Sequence, residues 1–357
     1  RGLLGHMHSD ERDNAEKSIL AAIRDSFEVS PAAKAAPLGN GHINQTVLVT
    51  DGDRHLVAQR INTTVFRQPE DLVHNARAIE SHLARKGGPL RVVRHMPGRD
   101  GRYLFGPNRD VRVLEYIPDS RSIEVLENSA QGELAAASFA RFASLLSDFD
   151  ASQLRIVIPD FHSPVLRWRQ LRAALEADAA GRAQSCLPET AFAGDGGRLT
   201  SRWQELMDRL PVRVAHNDCK INNMLVDRHS GEALAIIDLD TCMPGPLLTD
   251  FGDLVRTCCS PEPEDSTRLD RVQARPEIYQ ALVRGYESGW AGELTDEERS
   301  TLFEGGLMMS FVLGLRFLAD YLAGDTYFSV ARPAHNLERA RNQFRLFQSL
   351  SELRNNL

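Results

Sequence analysis

The stretch VRVAHNDCKINNMLVD, residues 212–227, with ALAIIDLDT, residues 233–241, constrains the fold more than any other part of the chain. Two apolar, β-rich runs flank a loop of acids, amides, one histidine and one lysine. Strands are ordinarily bounded by turn residues, not by such a cluster. The loop fits H-x-D-x-x-x-x-N through His216, Asp218 and Asn223, and the second run ends on Asp238.

Phosphoryl transfer needs residues of this kind, because it asks a protein for positioning and charge neutralisation more than for covalent help. A carboxylate must orient the attacking hydroxyl and accept its proton, which suits Asp218. Mg²⁺ prefers hard oxygen ligands and keeps some waters, which suits Asn223 and Asp238. Lys220 is within reach of the transferred phosphate as a point charge, and His216 reads as a packing and hydrogen-bonding element. Taken singly, each residue has a plainer reading, an aspartate as a turn or cap, a histidine as a satisfied structural group. The joint pattern sets this loop apart.

Composition sets the outer limits. At 357 residues the chain is longer than one hydrophobic core usually serves, so two lobes are expected. Hydrophobic residues make up 42% and charged residues 25%, as in ordinary globular proteins. A formal charge of −7 and a pI near 5.9 do not suit a nucleic-acid partner. The cysteines, Cys186, Cys219, Cys242, Cys258 and Cys259, form no C-x-x-C pair, so a reducing cytoplasm is expected and a zinc site is not. GLMMSFVLGLRFLADYLAG is interrupted by Arg316 and Asp320 and is not read as a membrane span. RGLLGHMH, residues 1–8, reads as a tag remnant.

Along the chain, residues 10–27 have helical spacing, and QTVLVT and HLVAQRI form a hairpin about DGD. QPEDLVHNARAIESHLARKG is an amphipathic helix with a proline start and a glycine stop. RVVRHM, GRYLFG and DVRVLEYI read as strands. Residues 9–117 thus form a small strand-rich lobe. Residues 118–357 form a larger, mainly helical one, with helices over 122–147, 163–182 and most of the last third; the class is α+β. A cleft between lobes is where ligand sites concentrate.

HNDCKINN, IDLDT and DFGDLVR resemble the aminoglycoside-phosphotransferase and choline-kinase branch of the protein-kinase-like bilobal fold. GNGHINQT, QRIN, IPDFH, LRFLADYLAGDTYF and HNLERARNQ resemble, more narrowly, the N-acetylhexosamine 1-kinases of that branch. The resemblance implies ATP and Mg²⁺ as cofactors, Asp218 as base, and Asn223 and Asp238 as metal ligands. It leaves Asp240 as metal support or loop cap. Asp250 is implied as a structural acceptor for the catalytic loop, and Asp253 as a carboxylate at a helix start.

For the nucleotide, the resemblance implies Gly39 and Gly41 over the phosphates, and Arg60 in the place of the usual lysine of V-A-I-K. A solvated strand residue is the rival reading of Arg60. The backbone of Glu115, Tyr116 and Ile117 would read adenine. Asn75 and Ala76 stand where the helix glutamate is expected, with Asp71 and Glu80 a turn away on either side. For the sugar it implies Arg316 and Tyr327, with His42 and Asn44 touching phosphate or sugar. The rivals are an Arg316–Asp320 helix pair and a core tyrosine. Asp160 and His162 read as loop packing. The expected activity is ATP-dependent phosphorylation of the anomeric hydroxyl of an N-acetylhexosamine. The alternatives are another sugar, amino alcohol or aminoglycoside hydroxyl, or a nucleotide-binding pseudokinase.

Overall fold

The computed structural model describes residues 9–39, 43–88, 90–194, 196–291 and 294–355. Helix α1 (Ser9–Phe27) buries Ile19, Leu20, Ile23 and Phe27 against one face of a four-stranded antiparallel sheet. That sheet runs β1 (Lys34–Pro37), β2 (Gln45–Asp51), β3 (Arg54–Arg60), β5 (Val111–Glu115). Asp51 pairs with Arg54, so Gly52 and Asp53 make the two-residue turn expected of DGD. Val47, Val49, Leu56, Ala58, Val111 and Val113 meet α1. Side chains alternate along a strand, so Gln59 and Arg112 point to the opposite, cleft-side face. Helix α2 (Pro69–Lys86) starts on its proline and stops at Gly87, whose φ is 67°.

Two of the expected strands differ. β4 is only Arg91–Val92, which pairs in parallel with β9 (Ala233–Ile236); the rest of the expected strand meets the edge of the small-lobe sheet, where His95 bridges Leu114 and the Met96 N–H donates to the Val113 carbonyl (2.8 Å). GRYLFG forms no strand. Gly101 and Gly106 take φ of 76° and 81°, conformations that turn the chain, and Phe105 alone bridges to Val111.

A second sheet runs β4, β9, β8 (Met224–Asp227), β6 (Ser120–Ser122), and β7 (Arg213–Ala215) pairs with β10 (Met243–Gly245). The rest is helical: α3 (Ser129–Leu145), α4 (Pro164–Ala177), α5 (Leu187–Ala193), α6 (Gly196–Arg209), α7 (Leu248–Cys258), α8 (Pro276–Gly289), α9 (Asp296–Ala323) and α10 (His335–Arg354). α9 opens on a Thr295–Glu298 capping box. It is long and apolar enough to cross a membrane, but 83% of that window is buried among its neighbours, which makes it a core helix. Glycines let helices touch backbone to backbone: a Cβ on Gly285 of α8 would sit 2.1 Å from the Glu133 carbonyl of α3. All five cysteines are free and buried.

Candidate active site

The loop between β7 and β8 is pinned from three sides. The Asp250 carboxylate accepts the backbone N–H of His216 (2.8 Å) and of Asn217 (2.7 Å), the structural role expected of it. Burial nonetheless pushes its carboxyl up to about 7. The His216 ring lies edge-on to Phe139 and Phe142, and its Nε2 meets the Ile237 carbonyl at 3.1 Å. Buried His162 holds the Asn217 carbonyl at 3.0 Å, the packing role expected for it.

Asp218 projects from this loop. Lys220 Nζ is 2.8 Å from its Oδ1, and the Asn223 amide donates to its Oδ2 (2.9 Å) and its carbonyl (2.8 Å). Desolvation opposes the charge, but Lys220, His216 and Asn223 hold Asp218 below the ordinary carboxylate range. For Lys220, desolvation is likewise overcome: Asp218 and Asp253 push the ammonium up to about 12. A carboxylate this acidic orients a hydroxyl well and takes its proton late, which suits a loose phosphoryl-transfer transition state.

Met224 pairs with Ile236, and the Ile237 N–H donates to the Asn223 carbonyl (2.9 Å), so Asn223 and Asp238 stand at neighbouring ends of one hairpin. The Asn223 amide nitrogen is committed to Asp218, which leaves its side-chain oxygen for a cation. Its place deep between the lobes and the carboxylates of Asp240 and Asp218 push Asp238 up to about 7. The Asp238 side chain is nevertheless open to cleft water, so the repulsion is the part a cation would relieve. Among the described residues no trio of His, Cys, Asp or Glu can hold a metal. One amide, one carboxylate, waters and phosphate oxygens make a donor set that fits Mg²⁺ and not zinc.

On the acceptor side, Arg316 of α9 is caged by three rings, 5.3 Å from Phe161, 5.6 Å from Tyr327 and 5.2 Å from Phe328. It has no ion-pair partner among the described residues. Asp320 does not pair with it. That carboxylate accepts the N–H groups of Thr326, Tyr327 and Phe328 and the Asn336 amide, and so fixes the loop that carries two of the rings. Tyr327 is 53% exposed, not a core residue. Beside it opens a cleft of about 480 Å³, lined by apolar Val65, Phe66, Ile156 and Ile158 and by polar Arg67, Gln68 and Asp71.

Residues 34–294, well over half the chain, match the Phosphotransferase enzyme family. The protein belongs to that family. It is a kinase acting on hydroxyl groups of small molecules, and kinases of this family use ATP. A microcompartment-associated aminopropanol kinase superposes with a TM-score of 0.63 at 20% identity, over 97% of this chain and 98% of that one. An aminoglycoside phosphotransferase from Alicyclobacillus acidocaldarius subsp. acidocaldarius gives 0.61 at 14%, over 94% and 96%. Spectinomycin phosphotransferase in complex with ADP and spectinomycin gives 0.60 at 10%, over 92% and 96%. At these identities the likeness is one of fold.

Several residues of this phosphotransferase stand elsewhere than expected. Arg60 is on the α1 face of β3, where its Nη2 donates to Ser18 (3.1 Å) and its Nε lies 3.5 Å from Asp110, so it does not reach the cleft. Asn44 is not free to touch phosphate or sugar: its amide donates to Asp240 (2.7 Å) and its oxygen accepts the Asn62 N–H (2.9 Å). Asp240 is held in a buried ion pair, Arg112 gripping it through both oxygens at 2.6 and 2.7 Å. Asp253 lies in the middle of α7, buried, and pairs with Arg256 (2.8 Å). Gly39 takes a φ of 72°, as a glycine turn requires; Gly41 and His42 lie outside the described residues.

In place of a Lys–Glu pair, Asn75 fixes α2. Its side chain donates to the carbonyls of Arg155 (2.8 Å) and Cys242 (3.2 Å) and accepts the Arg155 N–H (2.8 Å). At the strand end, the Glu115 carboxylate is held by Arg94 (2.8 Å), and among the described residues the Ile117 N–H has no partner.

Proposed function

We propose that this phosphotransferase moves the γ-phosphoryl group of ATP, with Mg²⁺, to the anomeric hydroxyl of an N-acetylhexosamine of the GlcNAc or GalNAc type. The observation that carries this reading is the cage around Arg316. Three aromatic rings facing one point make a receptor for a cation, and here the chain's own guanidinium fills it. An amino alcohol or aminoglycoside brings a positive charge that this arrangement repels. A sugar brings hydroxyls and an acetamido carbonyl, which a guanidinium without an acidic partner can bind. The sequence blocks quoted above point to the same class.

In this reading Asp218 accepts a hydrogen bond from the C1 hydroxyl, aims it in line at the γ-phosphorus and takes its proton. Lys220 meets the transferred group. Asn223 and Asp238 would hold Mg²⁺, which neutralises charge on the triphosphate and on the group in flight. Gly39 and the glycine-bearing loop would cover the phosphates, and the Glu115 carbonyl and Ile117 N–H would read adenine. Free, buried thiols suit a reducing cytoplasm.

Arg316→Met should raise the acceptor KM by roughly 10- to 100-fold, the worth of a lost charged hydrogen bond, with the ATP KM unchanged. ADP release measured against hexoses, N-acetylhexosamines, amino alcohols and aminoglycosides tests the class directly. The highest kcat/KM is expected for an N-acetylhexosamine; an amino alcohol in first place would overturn the reading.

A further inference from the structure

Arg112 on β5, 2% exposed, points to the cleft-side face of the small-lobe sheet. Besides its two bonds to Asp240, it donates to the Gln59 side-chain oxygen Oε1 from Nε (2.8 Å) and Nη2 (2.5 Å), and its Nη1 lies 3.4 Å from His95 Nε2. His95 is backed in turn by Glu80 of α2 at 2.7 Å. All five guanidinium N–H groups are therefore spoken for, and none is left for a phosphate.

We infer that Arg112 is a positioning residue for phosphoryl transfer: by clamping Asp240 it aims the Asp238 carboxylate at the divalent cation. This rests on the proposed role of Asp238 as a metal ligand. Asp238 takes a φ of 61°, a left-handed conformation that aspartate adopts more readily than most side chains and that its surroundings here hold in place. The surroundings do so residue by residue. Thr241 Oγ1 donates to the His216 carbonyl (2.7 Å), its own carbonyl accepts the Asn217 amide (3.0 Å), and the Cys242 carbonyl accepts Asn75. These ties run to the catalytic loop and to α2. Asp240, two residues from the metal ligand, is tied to the small-lobe sheet by Arg112 and to the start of β2 by Asn44. The orientation of Asp238 and the seating of the small lobe are thus one linked geometry, and Arg112 is its central link.

Removing Arg112 alone strands a buried carboxylate and threatens folding. The double variant Arg112→Gln/Asp240→Asn removes both charges and keeps an amide pair. Mn²⁺ binding to the full chain with ADP, read by electron paramagnetic resonance, is compared with the thermal midpoint for wild type, the double variant, Asp238→Asn and Asn44→Ala. The double variant should melt near wild type yet bind Mn²⁺ roughly 10- to 100-fold more weakly, the usual effect of losing a group that orients a ligand. Its acceptor KM should not move. A stable double variant with wild-type Mn²⁺ affinity overturns the inference. Should it fail to fold, Asn44→Ala decides, since it loosens Asp240 with both charges kept: weaker Mn²⁺ binding supports the clamp, unchanged binding overturns it. Asp238→Asn with wild-type Mn²⁺ affinity would instead remove the metal-ligand assignment on which the inference stands.

Discussion

Asp218→Asn is expected to lower kcat by roughly 10²- to 10⁴-fold, the range for a general base, while leaving ATP affinity within about threefold. The shape of the side chain is kept and its charge is lost. In the native loop Lys220 and Asn223 each donate to one Asp218 oxygen; an asparagine can accept from only one of them. The variant therefore tests the base without emptying the site. A purely structural Asp218 would show itself by a lowered thermal midpoint accompanying the loss of rate. Near-normal kcat would remove Asp218 from its role.

The second large effect is one of packing. Gly252 on α7 faces Gly305 on α9, and a Cβ there would meet the Gly305 carbonyl oxygen at 2.3 Å and its carbon at 2.6 Å. Both are backbone atoms, so no rotamer change makes room. Gly252→Ala must push α7 off α9, at a cost of about 3 kcal/mol or more, the upper range for overpacking. Asp250 is on the same helix, so the displacement also slackens the catalytic loop that it holds. A sharply lowered thermal midpoint and loss of turnover are expected together. A Gly252→Ala protein that melts like wild type would contradict this account of the α7–α9 contact.

Parts of the site were legible in the sequence because they are local. Asp218, Lys220 and Asn223 lie within six residues, and Asp238 ends the next strand, so spacing alone groups them. The lobe plan followed from element order. Contacts between distant segments had no local signal: Arg112 and Asp240 are 128 residues apart, Asn44 and Asp240 196 apart. The face of β3 was also hidden. Leu56, Val57 and Ala58 are all apolar, so alternation could not say whether Gln59 or Arg60 looks into the cleft, and the V-A-I-K likeness pointed to the wrong one. Asp320 lies one helical turn from Arg316 and so looked like its partner, but three N–H groups of the following loop claim that carboxylate. Where the helix glutamate is expected, Asn75 instead ties α2 to the Arg155 and Cys242 backbone, a contact that spacing within the helix does not announce.

The central claim is the position of the transferred phosphate. The most direct measurement is the ¹H–³¹P NMR spectrum of the product formed from ATP and an N-acetylhexosamine by the full chain. Coupling of the phosphorus to the anomeric proton is the predicted result. Coupling to a proton elsewhere on the ring, or no sugar phosphate at all while an amino alcohol is consumed, would contradict it.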